Sequence, residues 1–315
     1  MRSFLARRWF LLLVAGGLAF AILRPDAVRW VVEPLKPKVV VAAAIFLSAV
    51  GLESRSLLRA LAHPGPVLWA ALVSLGFLPA LAWLSTPLFP SAEMGVGLLV
   101  MAAVPCTLAS AVLWTRMAGG NEATALFVIL LTTLIGPLAT PAWLSLTGGV
   151  GARPSAGTMM LDLAVVLVLP VGLAQCCRVF PPVAAAATRH KALIGVVARL
   201  LVLVVMLKAA VDVARFLPGV TPWSVLWVAV VCLGVHLATL SVGVLGGRAL
   251  GFDRGDLIAV AFACSQKTLP IALYLYEAYY TTDYPLAVLP LALYHAGQLL
   301  ADTIIADRLA PAPAR

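Results

Sequence analysis

The chain is a succession of apolar runs bounded by charged residues and prolines, and that pattern predicts membrane-spanning helices. A helix crossing the roughly 30 Å hydrocarbon core needs about 20 residues. The runs place spans near 9–23, 39–52, 65–85, 93–115, 122–146, 158–180, 192–215, 223–247, 256–279 and 285–306. The second run is short. Lys36-Pro37-Lys38 precedes it and Glu53-Ser54-Arg55 follows it, as expected for a tilted or partly buried helix. Little sequence is left for a soluble domain, so residues 1–315 are expected to form one all-α polytopic membrane domain. The apolar stretch after Met-Arg-Ser-Phe-Leu-Ala-Arg-Arg is expected as a retained first span. Gly16-Gly17-Leu18-Ala19-Phe20-Ala21 offers no convincing polar cleavage region.

Two spans carry interruptions. In the ninth, Ala261-Phe262-Ala263-Cys264-Ser265-Gln266-Lys267-Thr268-Leu269-Pro270 sets four polar side chains and a proline where hydrocarbon is expected. A lysine at the bilayer centre costs roughly 2.5–3.5 kcal/mol, so it should face a partner or a watery cavity. Pro270 removes an N–H and disfavours helical geometry at Leu269. The fourth span holds a second proline-plus-hydroxyl interruption, Val104-Pro105-Cys106-Thr107-Leu108-Ala109-Ser110. Splitting about ten spans evenly gives halves with an odd number each, so the second half enters the membrane from the opposite side. The expected repeats cover approximately 1–150 and 151–315. Two interrupted helices in corresponding positions of inverted repeats point to a binding site near the midplane, because unwound carbonyls and half-helix ends supply ligands there.

Composition agrees: 63% of residues are hydrophobic, 11% are charged and mean hydropathy is +1.04. The net charge of +9 would suggest nucleic acid in a soluble protein. Here the basic residues are scattered over short loops, and positive-inside topology explains them without a nucleic-acid partner. Arg2, Arg7, Arg8, Arg55, Arg116, Arg178, Lys191, Arg248, Arg254 and Arg308 fall on one side with others, and fewer, including Arg24, Arg29, Lys36, Lys38, Arg153 and Arg215, on the other. Both termini are therefore expected in the cytoplasm. The first outer loop, with Trp30 as an anchor, reads as an interfacial segment. The five cysteines, Cys106, Cys176, Cys177, Cys232 and Cys264, lie in apolar segments without metal-ligand spacing and read as buried thiols.

Individual residues leave alternatives open. Lys267 reads as a fixed cation at the crossover, as a proton carrier, or as a partner for carbonyls of the broken helices. Ser265, Gln266 and Thr268, with Thr107 and Ser110, either bind substrate or satisfy freed backbone groups. His295, Gln298 and Asp302 share one face of the tenth span. That face reads as a proton relay, or as a polar seam against a neighbouring helix, with Asp302 already near the cytoplasmic interface. His236, alone in its span, reads as a packed, hydrogen-bonded histidine. Asn121 reads as a helix cap, Lys208 and Asp212 as a structural pair, and Arg199 as a snorkelling side chain. Pro137 and Pro141 are expected to kink the fifth span. No nucleotide loop, zincin motif or nucleophile elbow is visible, so enzymatic function has no positive support.

These residues together resemble the bile acid:sodium symporter superfamily, in particular its sodium/bile acid cotransporter-like bacterial branch. The resemblance rests on residues 103–112 with Gly120-Asn121, on Ser265-Gln266-Lys267-Thr268-Leu269-Pro270, and on Leu293-Tyr294-His295-Ala296-Gly297-Gln298-Leu299. It implies two inverted five-helix repeats with the fourth and ninth spans broken and crossing. Spans one, two, six and seven would form a panel domain and the others a core domain. In sodium-coupled members the crossover carries an Ala-Ser-Asn run on the fourth helix and an acid four positions before the glutamine of the ninth. Here Ser110 matches the serine, Ala111 replaces the asparagine and Phe262 replaces the acid. Ala125 and Ile129 stand where hydroxyl ligands are expected. Sodium coupling of the familiar kind is therefore not expected, and no cofactor is implied. The lysine ammonium would stand where bound sodium supplies positive charge, making transport proton-coupled or uncoupled.

The expected function is secondary active transport of a small organic anion by alternating access, in a bacterial inner membrane, with H⁺ or Na⁺ as the ion in question. A lysine and two half-helix N-termini favour negative charge at the crossover. A homodimer is left open. The competing reading is a non-transporting regulatory or structural membrane protein that retains the transporter fold.

Overall fold

The computed structural model describes residues 13–14, 16–52, 64–147 and 155–310, and among them every regular element is helical. Residues 9–12 of the first expected span, the Glu53-Ser54-Arg55 boundary and Arg153 lie outside the described residues. Residues 16–23 form α1, which stops at Arg24 before Pro25. A short amphipathic helix, α2 (Pro25–Val32), buries Val28 and Val32 and leaves Trp30 74% exposed, as an interfacial anchor requires. Next come α3 (Pro37–Val50), α4 (Pro64–Leu88), α5 (Ala92–Ala103), α6 (Ser110–Met117) and α7 (Glu122–Leu146). After the gap follow α8 (Ala156–Arg178), α9 (Pro181–Arg189), α10 (Lys191–Val213) and α11 (Pro222–Ala249). The last are α12 (Arg254–Ser265), α13 (Leu269–Leu275) and α14 (Val288–Leu309).

Among the described residues seven helical stretches are long and apolar enough to cross a membrane, and α3 and α5 are shorter apolar helices. Side chains such as Leu72, Leu84, Leu138, Leu169, Trp223 and Leu245 are exposed on the outer faces of these helices, where a soluble protein would carry charge. The starts are set locally. Ser91, Asn121, Ser155, Thr221 and Asp253 each accept a backbone N–H from the first turn of the helix they precede. α7 runs as one helix through Pro137 and Pro141.

Packing places α3 against α8 and α10, with α2 also on α10. α11 packs against α12 and α14, α4 against α12 and α7, and α5 against α14. The breaks of α5–α6 and α12–α13 lie between these groups. Close approach needs small residues. A Cβ on Gly97 of α5 would stand 2.1 Å from the carbonyl oxygen of Ala287, and one on Gly246 of α11 would stand 2.1 Å from the Trp69 ring.

Candidate functional site

Two prolines open the site. Val104, before Pro105, is extended (φ −72°, ψ 160°), as the ring of a following proline demands, and α5 ends there. α12 ends at Ser265, Gln266 is extended (φ −80°, ψ 137°), and Pro270 falls in the first turn of α13, where its missing N–H is not needed. Both breaks are buried: Val104, Ser265, Gln266 and Lys267 are each 0% exposed. Every freed backbone group must then find an internal partner.

The partners come largely from the other break and from three flanking helices. Thr268 N–H donates to the Pro105 carbonyl at 3.1 Å, so the breaks are joined directly through their backbones. Thr140 of α7 donates to the Ala103 carbonyl at 2.8 Å, and Cys106 N–H donates to Thr132 Oγ1 at 3.3 Å. Gln298 of α14 pairs with both polar groups of Lys267's own backbone, accepting from its N–H at 2.9 Å and donating to its carbonyl at 3.0 Å. Tyr294 OH donates to the Ser265 carbonyl at 2.8 Å.

The Lys267 side chain closes the set. Its Nζ donates to the Val104 carbonyl at 2.8 Å and to the Ser74 carbonyl at 2.7 Å. The Ser74 carbonyl is free because of Pro79. Residues Val73–Phe77 form a π turn in α4, so Leu78 N–H reaches back to the Val73 carbonyl. The next N–H in line for Ser74 would belong to residue 79, and proline has none. The Leu75 carbonyl, deprived of its own partner by the same proline, accepts Trp143 Nε1–H at 2.6 Å. A π turn ahead of a proline thus holds a carbonyl out for a lysine far along the chain.

Beside the lysine lies a second buried polar group. Asp302, 0% exposed, accepts Gln266 Nε2–H at 2.6 Å on one oxygen and faces His236 Nε2 at 3.0 Å on the other. Gln266 Oε1 accepts from Ser110 Oγ at 2.6 Å, tying the fourth-span break to the ninth. The reading of the tenth-span face is sharpened here. Asp302 is sealed between α11 and the α12–α13 break and forms part of a polar seam against α11. The imidazole bonded to it is His236, whereas His295 Nδ1 faces Gln298 Nε2 at 2.9 Å, so the tenth-span face does not form a relay by itself. His236 is packed and hydrogen-bonded as expected, but within the central network.

A cavity of about 1180 Å³ reaches this crossing from one end. Thr107, Ser110, Thr268 and His295 line it, with Pro270 and apolar side chains of α3, α6 and α10. Arg116, Asn121, Glu122, Lys191, Arg199 and Asp307 lie around it as well. Ser265, Gln266, Lys267 and Gln298 do not line the cavity and stand behind its wall. Asn121 caps α7 as expected and also donates to Asp256 Oδ1 at 2.8 Å. The positions that align with sodium ligands, Ala111, Ala125, Ile129 and Phe262, are each 0% exposed and carry no oxygen donor in their side chains. This donor set does not fit a sodium ion of the familiar kind.

At the opposite ends of α3 and α10 the helices are tied by ion pairs and hydrogen bonds. Lys38 donates to Asp162 at 2.7 Å, and Tyr279 OH donates to the same carboxylate. Lys208 bonds Asp212 at 2.7 Å, the pairing read from the sequence, and also Glu277 at 2.9 Å. These contacts join α3, α8 and α10 to the π turn Tyr276–Tyr280 that continues α13. Sequence reasoning did not find Ser74, Thr132, Thr140 or Tyr294 as site residues. The Leu78-Pro79 pair inside an apolar run was the available signal for Ser74.

Discontinuous helices that meet inside a bundle of long apolar helices define a class, the polytopic membrane proteins that build their ligand sites at broken helices. The chain belongs to the SBF-like CPA transporter family, which it matches over residues 8–311. It is 26% identical to sodium/bile acid cotransporter 7 of Danio rerio, over 95% of this chain and 92% of that protein. The mouse protein of the same name is 24% identical over 95% of this chain and 91% of its own length. A probable sodium/metabolite cotransporter, chloroplastic BASS4 of Arabidopsis thaliana, is 29% identical over 68% of this chain and 52% of that protein. The resemblance to the bile acid:sodium symporter superfamily is thereby shown.

Proposed function

We propose that the chain is a secondary active transporter that carries a small organic anion by alternating access, without sodium coupling of the familiar kind. In this reading α4–α7 and α11–α14 form the core, and α1, α3, α8 and α10 form the panel. Each group takes half of its helices from each of two inverted repeats, at approximately 1–150 and 151–315. The protein sits in a bacterial inner membrane with the cavity open to the cytoplasm and the Lys208–Glu277 side closed. Transport is proton-coupled or uncoupled.

The observation that carries this reading is the position of Lys267 Nζ, 2.8 Å from the Val104 carbonyl and 2.7 Å from the Ser74 carbonyl, behind a cavity that ends on both breaks. A cation held there by carbonyl dipoles supplies the positive charge that bound sodium supplies in relatives, where this chain has lost the oxygen donors. Of the three roles open to Lys267, we favour the fixed cation that also bridges carbonyls, since two carbonyl dipoles turn their negative ends to its Nζ. Thr107, Ser110, Thr268 and His295 are the substrate contacts, and Ser265, Gln266, Lys267 and Gln298 hold the crossing on which they are mounted.

The test is uptake and counterflow in proteoliposomes against a mixture of organic anions, with and without sodium and pH gradients. Accumulation indifferent to sodium supports the proposal. An intact protein that exchanges nothing from a broad mixture overturns it in favour of a non-transporting role.

A further inference from the structure

The buried His236–Asp302 pair has no part in holding the lysine or lining the cavity. Its contacts suit one count of protons. His236 Nδ1 faces the Ser265 carbonyl at 3.3 Å, and a carbonyl can only accept, so the tautomer that makes this bond carries its hydrogen on Nδ1. His236 Nε2 faces Asp302 Oδ1 at 3.0 Å, and two lone pairs cannot meet there, so a second proton lies between nitrogen and oxygen. The pair is an imidazolium with a carboxylate, or a neutral imidazole with a carboxylic acid. Either way it holds one proton more than a neutral histidine beside an ionised aspartate.

The geometry points to a proton-binding site shared by His236 and Asp302 and linked to the cavity through Gln266 and Ser110. This inference rests on the transporter reading for its purpose, and names where a coupling proton sits. Release is balanced by one hydrogen ion passing to water. The imidazole keeps its remaining hydrogen on Nε2, donated to the Asp302 carboxylate, and Nδ1 becomes a bare lone pair. The bond to the Ser265 carbonyl is then lost, and with it one of the two contacts that this carbonyl makes to α11 and α14; Tyr294 OH keeps the other. In the other direction, Ser110 Oγ both lines the cavity and donates to Gln266 Oε1, while Gln266 Nε2 donates to Asp302. An anion that draws the Ser110 hydroxyl toward itself removes that bond to Gln266 and loosens the amide that steadies the carboxylate.

The titratable groups that interact with Asp302 are Cys106, Cys264 and Tyr294, and Lys267 and Cys232 lie next to these in turn. Each is turned to a carbonyl: Lys267 to Ser74 and Val104, Cys264 to Thr239, Cys106 to Thr107, Cys232 to Pro290 and Tyr294 to Ser265. His295 faces Gln298. The Tyr294 ring stands edge-on to the His236 ring at 5.8 Å between centroids. None of these groups donates to or accepts from the pair, so a proton lost there has no second carrier beside it.

The experiment is nitrogen-15 NMR of histidine-labelled protein in detergent across a pH titration, with His236 assigned by its absence in His236→Gln. The expected result is a His236 signal with both nitrogens protonated that gives up one proton as pH rises, and loss of the doubly protonated form in Asp302→Asn. A His236 that holds a single hydrogen at every pH overturns the inference, as does a doubly protonated form that survives unchanged in folded Asp302→Asn. If Asp302→Asn does not fold, the wild-type titration still decides. This readout requires no transport. A titrating pair in a protein that moves nothing contradicts the transporter reading alone, and pH-driven transport with a His236 that does not titrate contradicts this inference alone.

Discussion

Lys267 Nζ and the Val104 carbonyl, 163 residues apart in the chain, lie 2.8 Å from each other and join the two helix breaks. Removing the lysine leaves that carbonyl and the Ser74 carbonyl without partners inside a sealed core. An unsatisfied buried acceptor costs about 1–3 kcal/mol. Lys267→Ala should therefore lower the thermal unfolding temperature in detergent substantially. Lys267→Gln, which retains a donor amide but no charge, should lose less stability, yet should abolish uptake in proteoliposomes. Uptake equal to wild type in folded Lys267→Gln would show that the charge is not required.

Pro79 gives a test of how the lysine is held. In Pro79→Ala the chain regains an N–H that can close onto the Ser74 or Leu75 carbonyl within α4. The helix itself should gain from this change, because proline costs about 3 kcal/mol more than alanine in a helix interior. The lysine loses its undivided acceptor. The expected outcome is transport reduced severalfold with an unfolding temperature that changes little. Full activity in this variant would mean that the π turn has no role in the crossing.

How much of this was legible in the sequence follows from the same two residues. Pro105, Pro270 and Lys267 announce themselves as exceptions within apolar runs, and the expected spans from the second onward fall on helices, of which seven stretches are long and apolar enough to cross a membrane among the described residues. The Ser74 acceptor was not announced, since it is a backbone group whose freedom depends on one proline and on a helix of the other chain segment. The partner of Asp302 was not legible for a related reason. Spacing placed the aspartate correctly on the face of His295 and Gln298, but position along a helix says nothing about which neighbour covers it, and α11 supplies His236 to seal it. The apolar residue types at Ala111, Ala125, Ile129 and Phe262 were legible directly, and the structure keeps those positions buried.

The closed side of the molecule should depend on Lys208. Its ammonium bridges Asp212 and Glu277, and the Glu277 side chain is only 7% exposed. Lys208→Met strands that carboxylate, at a cost on the order of 3 kcal/mol reduced by the partial exposure of the lysine. The double variant Lys208→Met with Glu277→Leu should recover most of the lost stability, because an apolar pair of similar volume replaces a buried ion pair at little net cost. Thermal unfolding of the single and double variants checks this. A double variant no more stable than Lys208→Met would contradict it.

Gly97 should tolerate no side chain. The Cβ of an alanine there would meet the Ala287 carbonyl oxygen at 2.1 Å, a contact with backbone that cannot rotate away. Overpacking of this kind typically costs about 1–3 kcal/mol, and Gly97→Ala should lower the unfolding temperature. The same change at an exposed glycine with open space around it, Gly157→Ala, should not.

The central claim is that a fixed lysine charge at the crossing replaces sodium in an anion transporter. It is tested most directly by uptake of an organic anion mixture into proteoliposomes, measured under an imposed sodium gradient and, separately, an imposed pH gradient. The account predicts accumulation that is unchanged by the sodium gradient in wild type and absent in Lys267→Gln. Accumulation driven by sodium in wild type would contradict it.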